Sequence, residues 1–259
     1  MFSFEPELFT DNRMAGFGIS TLGGRHSAKT KLFQDLMDSN ALYQLPWLAL
    51  LNCRYWVFSR PVAPTDLPAD WFHALKLVHT GEAGAVYEFQ LALPRATLLG
   101  DWKLEPDAGH AVLDSVSAVV HNPATFTWLD RDPGVPAGAA DPVGSAQVTK
   151  YKLHEVEVEV DAREPAVLRL ADLYYPDWKV FVDGKREPLL RADHALRAVA
   201  VPAGHHTVLF KFESGAFKVG LWVSIVSVFL ALVLLGVGAW LERRPAPLLK
   251  SAPASGASP

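Results

Sequence analysis

Apolar positions in the first sixty residues recur at helical spacing. Leu32, Phe33, Leu36 and Met37 fall on one face, which predicts a helix over about Ala28 to Asp38 with Ser27 as N-cap and Asn40 as its end. A second short helix is expected over Leu42 to Leu51, with Pro46 in its first turn or at a break, followed by a strand Arg54–Ser59 rich in β-formers. Pro61, Pro64 and Pro68 then mark a linker, and Val86 to Leu93 reads as a strand ended by Pro94-Arg95. Val112, Leu113, Val116, Val119 and Val120 return to helical spacing, with Asp107 as N-cap and Asn122-Pro123 as stop. Phe126–Leu129 is a short strand. The Pro- and Gly-rich run Asp130 to Ser145 reads as a long loop separating two β-rich parts.

From Gln147 the period changes to two. Val156, Val158 and Val160 alternate with Glu155, Glu157 and Glu159, so one face of that strand is apolar and the other meets water. The glutamates therefore read as a solvated row and not as an acid/base pair, which would face across a cleft. Tyr151 and Leu153 fall on the glutamate face, so a bulge or strand change is expected near His154. Val167–Ala171 continues as a strand, and Trp178, Val180 and Val182 mark the inward side of the next. Asp183-Gly184 is a two-residue hairpin signal, because a type I′ turn needs positive φ at both positions. Ala198–Val201, ending at Pro202-Ala203-Gly204, and a final strand with Val208, Phe210 and Phe212 inward complete the pattern. The fold class is mainly β with some α: an antiparallel β-sandwich-like extramembrane domain, with immunoglobulin-like and jelly-roll connectivities both open.

One uninterrupted apolar run, Val219 to Leu241, follows, bounded by Lys218 and by Glu242, Arg243 and Arg244. At about 1.5 Å per residue it makes a helix of roughly 34 Å, enough to cross a hydrocarbon core of about 30 Å. Phe217, Trp222 and Trp240 sit where interfacial aromatics are found. The run predicts a single transmembrane helix, with the lipid bilayer as partner. About six residues, Glu213 to Lys218, separate it from the last strand, which puts the β-domain near the bilayer surface. Basic residues Arg243, Arg244 and Lys250 after the span favour a cytoplasmic C-terminus, with 242–259 as a disordered cytoplasmic tail. The first residues lack the basic and apolar regions of a secretory signal, so the two topological cues pull in opposite directions.

The implied division is a small α/β region over 1–60, a mixed strand and helix region over 61–145, an antiparallel β-domain over 146–213, and the span over 219–241. Composition removes some function classes. A net charge of -4 without a concentrated basic patch argues against nucleic acid. Cys53 is the sole cysteine, which leaves no intrachain disulfide and no multi-cysteine metal site. The histidines lack the spacing of a helical zinc pair, and His205-His206 on a strand point to opposite faces. No Gly-x-Ser-x-Gly element occurs, so neither a metal, a cofactor nor a catalytic set is assigned.

Three candidate sites remain. Tyr174, Tyr175 and Trp178 offer aromatic faces for stacking on a sugar ring, with packing as the competing role. Gly23, Gly24 and Arg25, followed by His26 and ahead of the first helix, form a candidate anion-binding loop, with a simple turn as the alternative. Gly220, Ser224, Ser227, Ala231 and Gly238 share one face of the span, where a second helix could approach closely.

The run Leu173-Tyr-Tyr-Pro-Asp-Trp-Lys-Val-Phe-Val-Asp-Gly-Lys185, then Arg191 to Phe212 with Val201-Pro-Ala-Gly-His-His-Thr-Val-Leu-Phe210, resembles the end of YfhO-like bacterial membrane proteins. Asp177 stands where those proteins usually carry Gly. Gly23-Gly24-Arg25-His26 leading to Leu51-Asn52-Cys53-Arg54-Tyr55, and Val86-Tyr-Glu to Leu93-Pro-Arg95, are also similar to the family. The resemblance implies a place in cell-envelope glycosylation with polyprenyl-linked sugars, alongside GT-C-type glycosyltransferases. It carries over no catalytic residue, because the family's polytopic catalytic half has no counterpart here. The expected role is a membrane-anchored extracytoplasmic domain of such a system in the bacterial inner membrane, non-catalytic alone and working with a polytopic partner. A freestanding glycan- or protein-binding module of the envelope is the alternative, and a third is a transferase whose upstream part is absent from the sequence.

Overall fold

The computed structural model describes residues 2, 3, 5, 13–23, 29–106, 110–118, 120–139 and 142–242. In chain order, the N-terminal part holds a 3-10 turn at Arg13–Phe17, helix α1 (Lys31–Asp38), a 3-10 turn at Ala41–Tyr43, α2 (Leu45–Leu50), β1 (Tyr55–Phe58), α3 (Ala69–His73), β2 (Leu75–Gly81) and β3 (Gly84–Phe89). Next come β4 (Ala96–Leu99), β5 (Asp101–Leu104), α4 (His110–Ser117) and β6 (Phe126–Leu129). Then follow β7 (Gly144–Lys152), β8 (Glu155–Ala162), β9 (Ala166–Leu173), β10 (Trp178–Val182) and β11 (Lys185–Glu187). The rest is β12 (Leu190–Ala192), β13 (Leu196–Val201), β14 (Gly204–Phe212) and α5 (Gly215–Glu242).

Residues 1–213 form one compact unit and 214–259 another. The first is mainly β. Its five-stranded sheet, ordered β11-β10-β14-β8-β7, packs on a six-stranded sheet ordered β4-β9-β13-β12-β6-β5. Alternation builds the layer between them: Val156, Val158 and Val160 of β8, Val180 of β10 and Phe210 of β14 meet Leu168, Leu170, Val199 and Val201 of the facing sheet. Pairing between these strands is antiparallel except for β5 with β6, and Phe2 adds an isolated parallel bridge to Trp56. The opposite face of the six-stranded sheet, through Val167, Leu196 and Ala198, packs under α1, α2 and α4, with Trp47 fully buried between. A β-strand buried on both faces cannot alternate in polarity, so β9 and β13 read as near-continuous apolar runs. The small sheet β1-β3-β2 closes a third core around Trp56, Phe58 and Phe89.

Most expected elements are present. The first helix starts later than the apolar spacing suggests, because the Thr30 hydroxyl accepts the Phe33 N–H and caps it there; Ser27 and Ala28 lie outside the described residues, as do Asp107 and Val119. Asp183 (φ 50°) and Gly184 (φ 79°) form the hairpin between β10 and β11, and the chain reverses at Leu153-His154 between β7 and β8. Strands β2, β4, β5 and β12 and helix α3 have no counterpart in the sequence pattern. The six-stranded sheet takes β4, β5 and β6 from before Asp130–Ser145 and β9, β12 and β13 from after it, so one sheet draws on both sides of that loop.

Helix α5 is the one helix, among the described residues, long and apolar enough to cross a membrane, over Gly215–Trp240, 26 residues. Its Ser224 hydroxyl donates to the Gly220 carbonyl (2.9 Å) and its Ser227 hydroxyl to the Val223 carbonyl (2.8 Å), so both polar groups are satisfied inside the helix.

Candidate functional site

Two clefts flank a cluster of ionic side chains in the compact unit. The first, about 390 Å³, is bounded by the segment Ser20–Gly23, by Lys29, Thr30 and Phe33 at the start of α1, by Leu51 and Asn52 after α2, and by Arg95, Tyr151 and Asp172. Local hydrogen bonds hold these pieces together. Asn52, in the left-handed region at φ 54°, donates its side-chain amide to the Leu93 carbonyl at 2.6 Å, and Ala171 N–H donates to the Arg95 carbonyl at 2.7 Å. The strand end of β9 and the residue preceding β4 are thereby fixed side by side.

Asp172 is the centre of the cluster. One carboxylate oxygen accepts from Arg95 Nη1 (2.6 Å) and from the Tyr151 hydroxyl (3.1 Å); the other accepts from Arg197 Nη2 (2.8 Å). Arg95 Nη1 also donates to the Tyr151 oxygen (2.8 Å), and its guanidinium lies 4.5 Å from the centre of that ring. Burial, and then the adjoining Asp172 carboxylate, pushes the Tyr151 phenol above its ordinary value, so it stays a proton donor at neutral pH. Arg197, 5% exposed, has Nε and Nη1 without hydrogen-bond partners, and its guanidinium carbon stands 3.8 Å over the Trp178 ring centre. A cation over an aromatic face is stabilised without conventional acceptors, which accounts for those two nitrogens. Burial lowers the Arg197 pKa and Asp172 opposes the shift.

The second cleft, about 440 Å³, is lined by Tyr174 and Trp178 together with Arg131, Lys179, Arg186 and Leu189. Hence two of the three aromatic candidates meet at one cleft. Tyr175 turns elsewhere: it is 46% exposed, and its ring centre lies 6.2 Å from that of Phe212. Trp178 also has the packing role, against the inter-sheet core and 5.5 Å from Phe212. Of the candidate anion loop, Gly23 lines the first cleft, whereas Gly24 and Arg25 lie outside the described residues. His205 and His206 meet different carboxylates, Glu159 at 3.2 Å and Asp183 at 2.7 Å.

Sequence reading did not find the Asp172 cluster, nor a second buried pair, Arg169–Asp193, at 2.8 Å with both side chains under 4% exposed. Asp193 additionally accepts from the Thr127 hydroxyl and the Trp128 N–H, and Arg169 donates to the carbonyls of Phe126 and Pro123. The available signal was an arginine inside each of two apolar strands, Arg169 and Arg197, since an unpaired charge is not buried there.

No curated protein and no solved structure matches the chain. Residues 143–224, from β7 through the sheet strands carrying Asp172, Trp178 and Arg197 into the first turns of α5, match the model of the family described as "Bacterial membrane protein YfhO", and over that stretch the chain is similar to that family.

Proposed function

We propose that this chain is a membrane-anchored extracytoplasmic domain of a YfhO-like envelope glycosylation system, which holds a glycan for a polytopic partner and does not catalyse sugar transfer alone. The observation that carries the reading is the cleft of Tyr174 and Trp178. Arg197 covers one face of the Trp178 ring and orders it, while Arg131, Lys179 and Arg186 surround the aromatic surface with hydrogen-bond donors. Apolar ring faces flanked by donors suit the alternating C–H and hydroxyl surface of a pyranose. The helix α5 supplies the anchor and, through its Gly220–Gly238 face, the contact with partner helices.

The test is calorimetry on the full chain in lipid nanodiscs with a panel of bacterial-type oligosaccharides. The expected result is saturable binding of at least one neutral oligosaccharide, weakened about two- to tenfold by Tyr174→Ala, as loss of a stacking contact of about 0.5–1.5 kcal/mol requires. Absence of binding to the whole panel, or unchanged affinity in Tyr174→Ala, would sink the assignment of this cleft.

A further inference from the structure

We propose that the first cleft, which shares no lining residue with the Tyr174–Trp178 cleft, is a binding site for a small organic carboxylate with an apolar body. Its volume of about 390 Å³ falls in the range of small-molecule sites. Three features select the ligand.

The charge balance is positive. Asp172 is the only acidic side chain among the described residues lining the cleft, and both its oxygens are already taken by Arg95, Tyr151 and Arg197. Two guanidinium groups share that one carboxylate, and Lys29 adds a further cation at the wall whose ammonium, among the described residues, contacts the neutral Met37 sulfur alone, at 3.3 Å. An anion entering the cleft therefore meets an uncompensated positive field.

The shape of the donor is specific. Arg95 directs a single nitrogen, Nη1, at Asp172 and Tyr151. Its Nε and Nη2 have no partner among the described residues, and these two N–H groups make the parallel side-on fork that pairs two oxygens of a planar carboxylate. Arg54 turns the same edge to a carboxylate, its Nε (3.1 Å) and Nη2 (2.9 Å) both donating to the single oxygen Oε1 of Glu88. The Asp172 and Tyr151 contacts hold the guanidinium in place before any ligand arrives, which reduces the ordering cost of binding.

The remaining wall is apolar. Leu22, Phe33, Leu51 and Ala171 line it, so a bare inorganic anion would leave that surface unused, whereas a ligand with a hydrocarbon or ring portion covers it.

Titration calorimetry of the full chain in nanodiscs, with benzoate, cyclohexanecarboxylate, benzamide and inorganic phosphate as probes, tests this. The carboxylates are expected to bind saturably. Benzamide, the same shape without charge, should bind at least about tenfold more weakly, as the loss of a charge-assisted pair implies. Arg95→Lys, which keeps the charge and removes the fork, should weaken benzoate about tenfold or more. Lys29→Ala lies outside the Asp172 cluster and leaves the fold intact; it should weaken benzoate about two- to fivefold at low salt and less at high salt. Equal affinity for benzoate and benzamide, no carboxylate binding, or phosphate binding as tightly as benzoate would each overturn the proposal. The benzamide comparison uses the unaltered protein, so it decides the matter even where an Arg95 variant fails to fold.

Discussion

Asp193 is a buried carboxylate that ties three partners together. It sits at φ 42° in the turn between β12 and β13, followed by His194 at φ 68°, and its buried carboxylate binds Arg169, Thr127 and the Trp128 backbone. Removing it strands the Arg169 charge, and Asp193→Ala is expected to cost about 3–5 kcal/mol in denaturant unfolding; a cost near zero would show that Arg169 finds another partner. Cys53 is the opposite kind of residue. It is 1% exposed and burial pushes its thiol to about 12, so in the folded protein it should resist a thiol reagent at pH 8 and react only on unfolding. His206 is a titration site of predictable sign. The Asp183 carboxylate at 2.7 Å raises the imidazole pKa above its ordinary value of 6.5, and the same contact lowers Asp183 below 3.8. The pair's stabilisation is fully present below pH 6.5 and above pH 3.8; it fades as pH rises through the raised His206 pKa or falls through the lowered Asp183 pKa. Asp183→Asn should bring the His206 pKa back down in an NMR titration, and an unchanged value would remove Asp183 as the cause.

At the scale of elements, β3 and α5 make separate demands on glycine. Gly84 opens β3 at φ 136°, and a Cβ there would lie 2.2 Å from the Phe58 carbonyl oxygen of the paired strand β1. Gly84→Ala is therefore expected to destabilise the unit by more than about 1 kcal/mol, the reverse of the gain seen where alanine fits the backbone. In α5 the glycines are a matter of surface shape. At about 100° per residue, Gly220, Ser224, Ser227, Ala231 and Gly238 fall within a sector of roughly 60°, with Phe229 on the far side. If this face meets a partner helix, Ser227→Cys should cross-link to a membrane protein in intact membranes while Phe229→Cys does not; native Cys53, being buried, contributes no background. Equal cross-linking from both positions would show that the face is not selective.

For the whole molecule the decisive question is which side of the membrane the β-rich unit occupies. An extracytoplasmic unit and a cytoplasmic tail follow from the proposed role and from the basic residues Arg243, Arg244 and Lys250 after the span. A topology reporter fused after Lys250 should read as cytoplasmic, and an external readout would reverse the assignment.

The chain's polarity pattern was enough to determine its mainly β class, a bulge or strand change near His154, the Asp183-Gly184 hairpin and the membrane-length helix, because each rests on a local period or a local backbone requirement; that the chain reverses there was decided by the pairing of β7 with β8. Short or exposed strands escaped it: β12 has three residues, and β2 is exposed along most of its length, so neither produces a readable alternation. Of the sites, the aromatic run was legible, yet the separation of Tyr175 from Tyr174 and Trp178 was not, since it depends on where the loop before β10 turns. The Asp172 cluster joins residues 77 and 25 positions apart in the chain, and Arg169 meets Asp193 across 24. No local period encodes such pairs. Only the lateral pairing of β4, β9, β13 and β12 in one sheet, which brings their strand ends and turns together, decided that these arginines and aspartates would meet, and the facing sheet, by adding Tyr151 of β7, helped set where the first cleft would form.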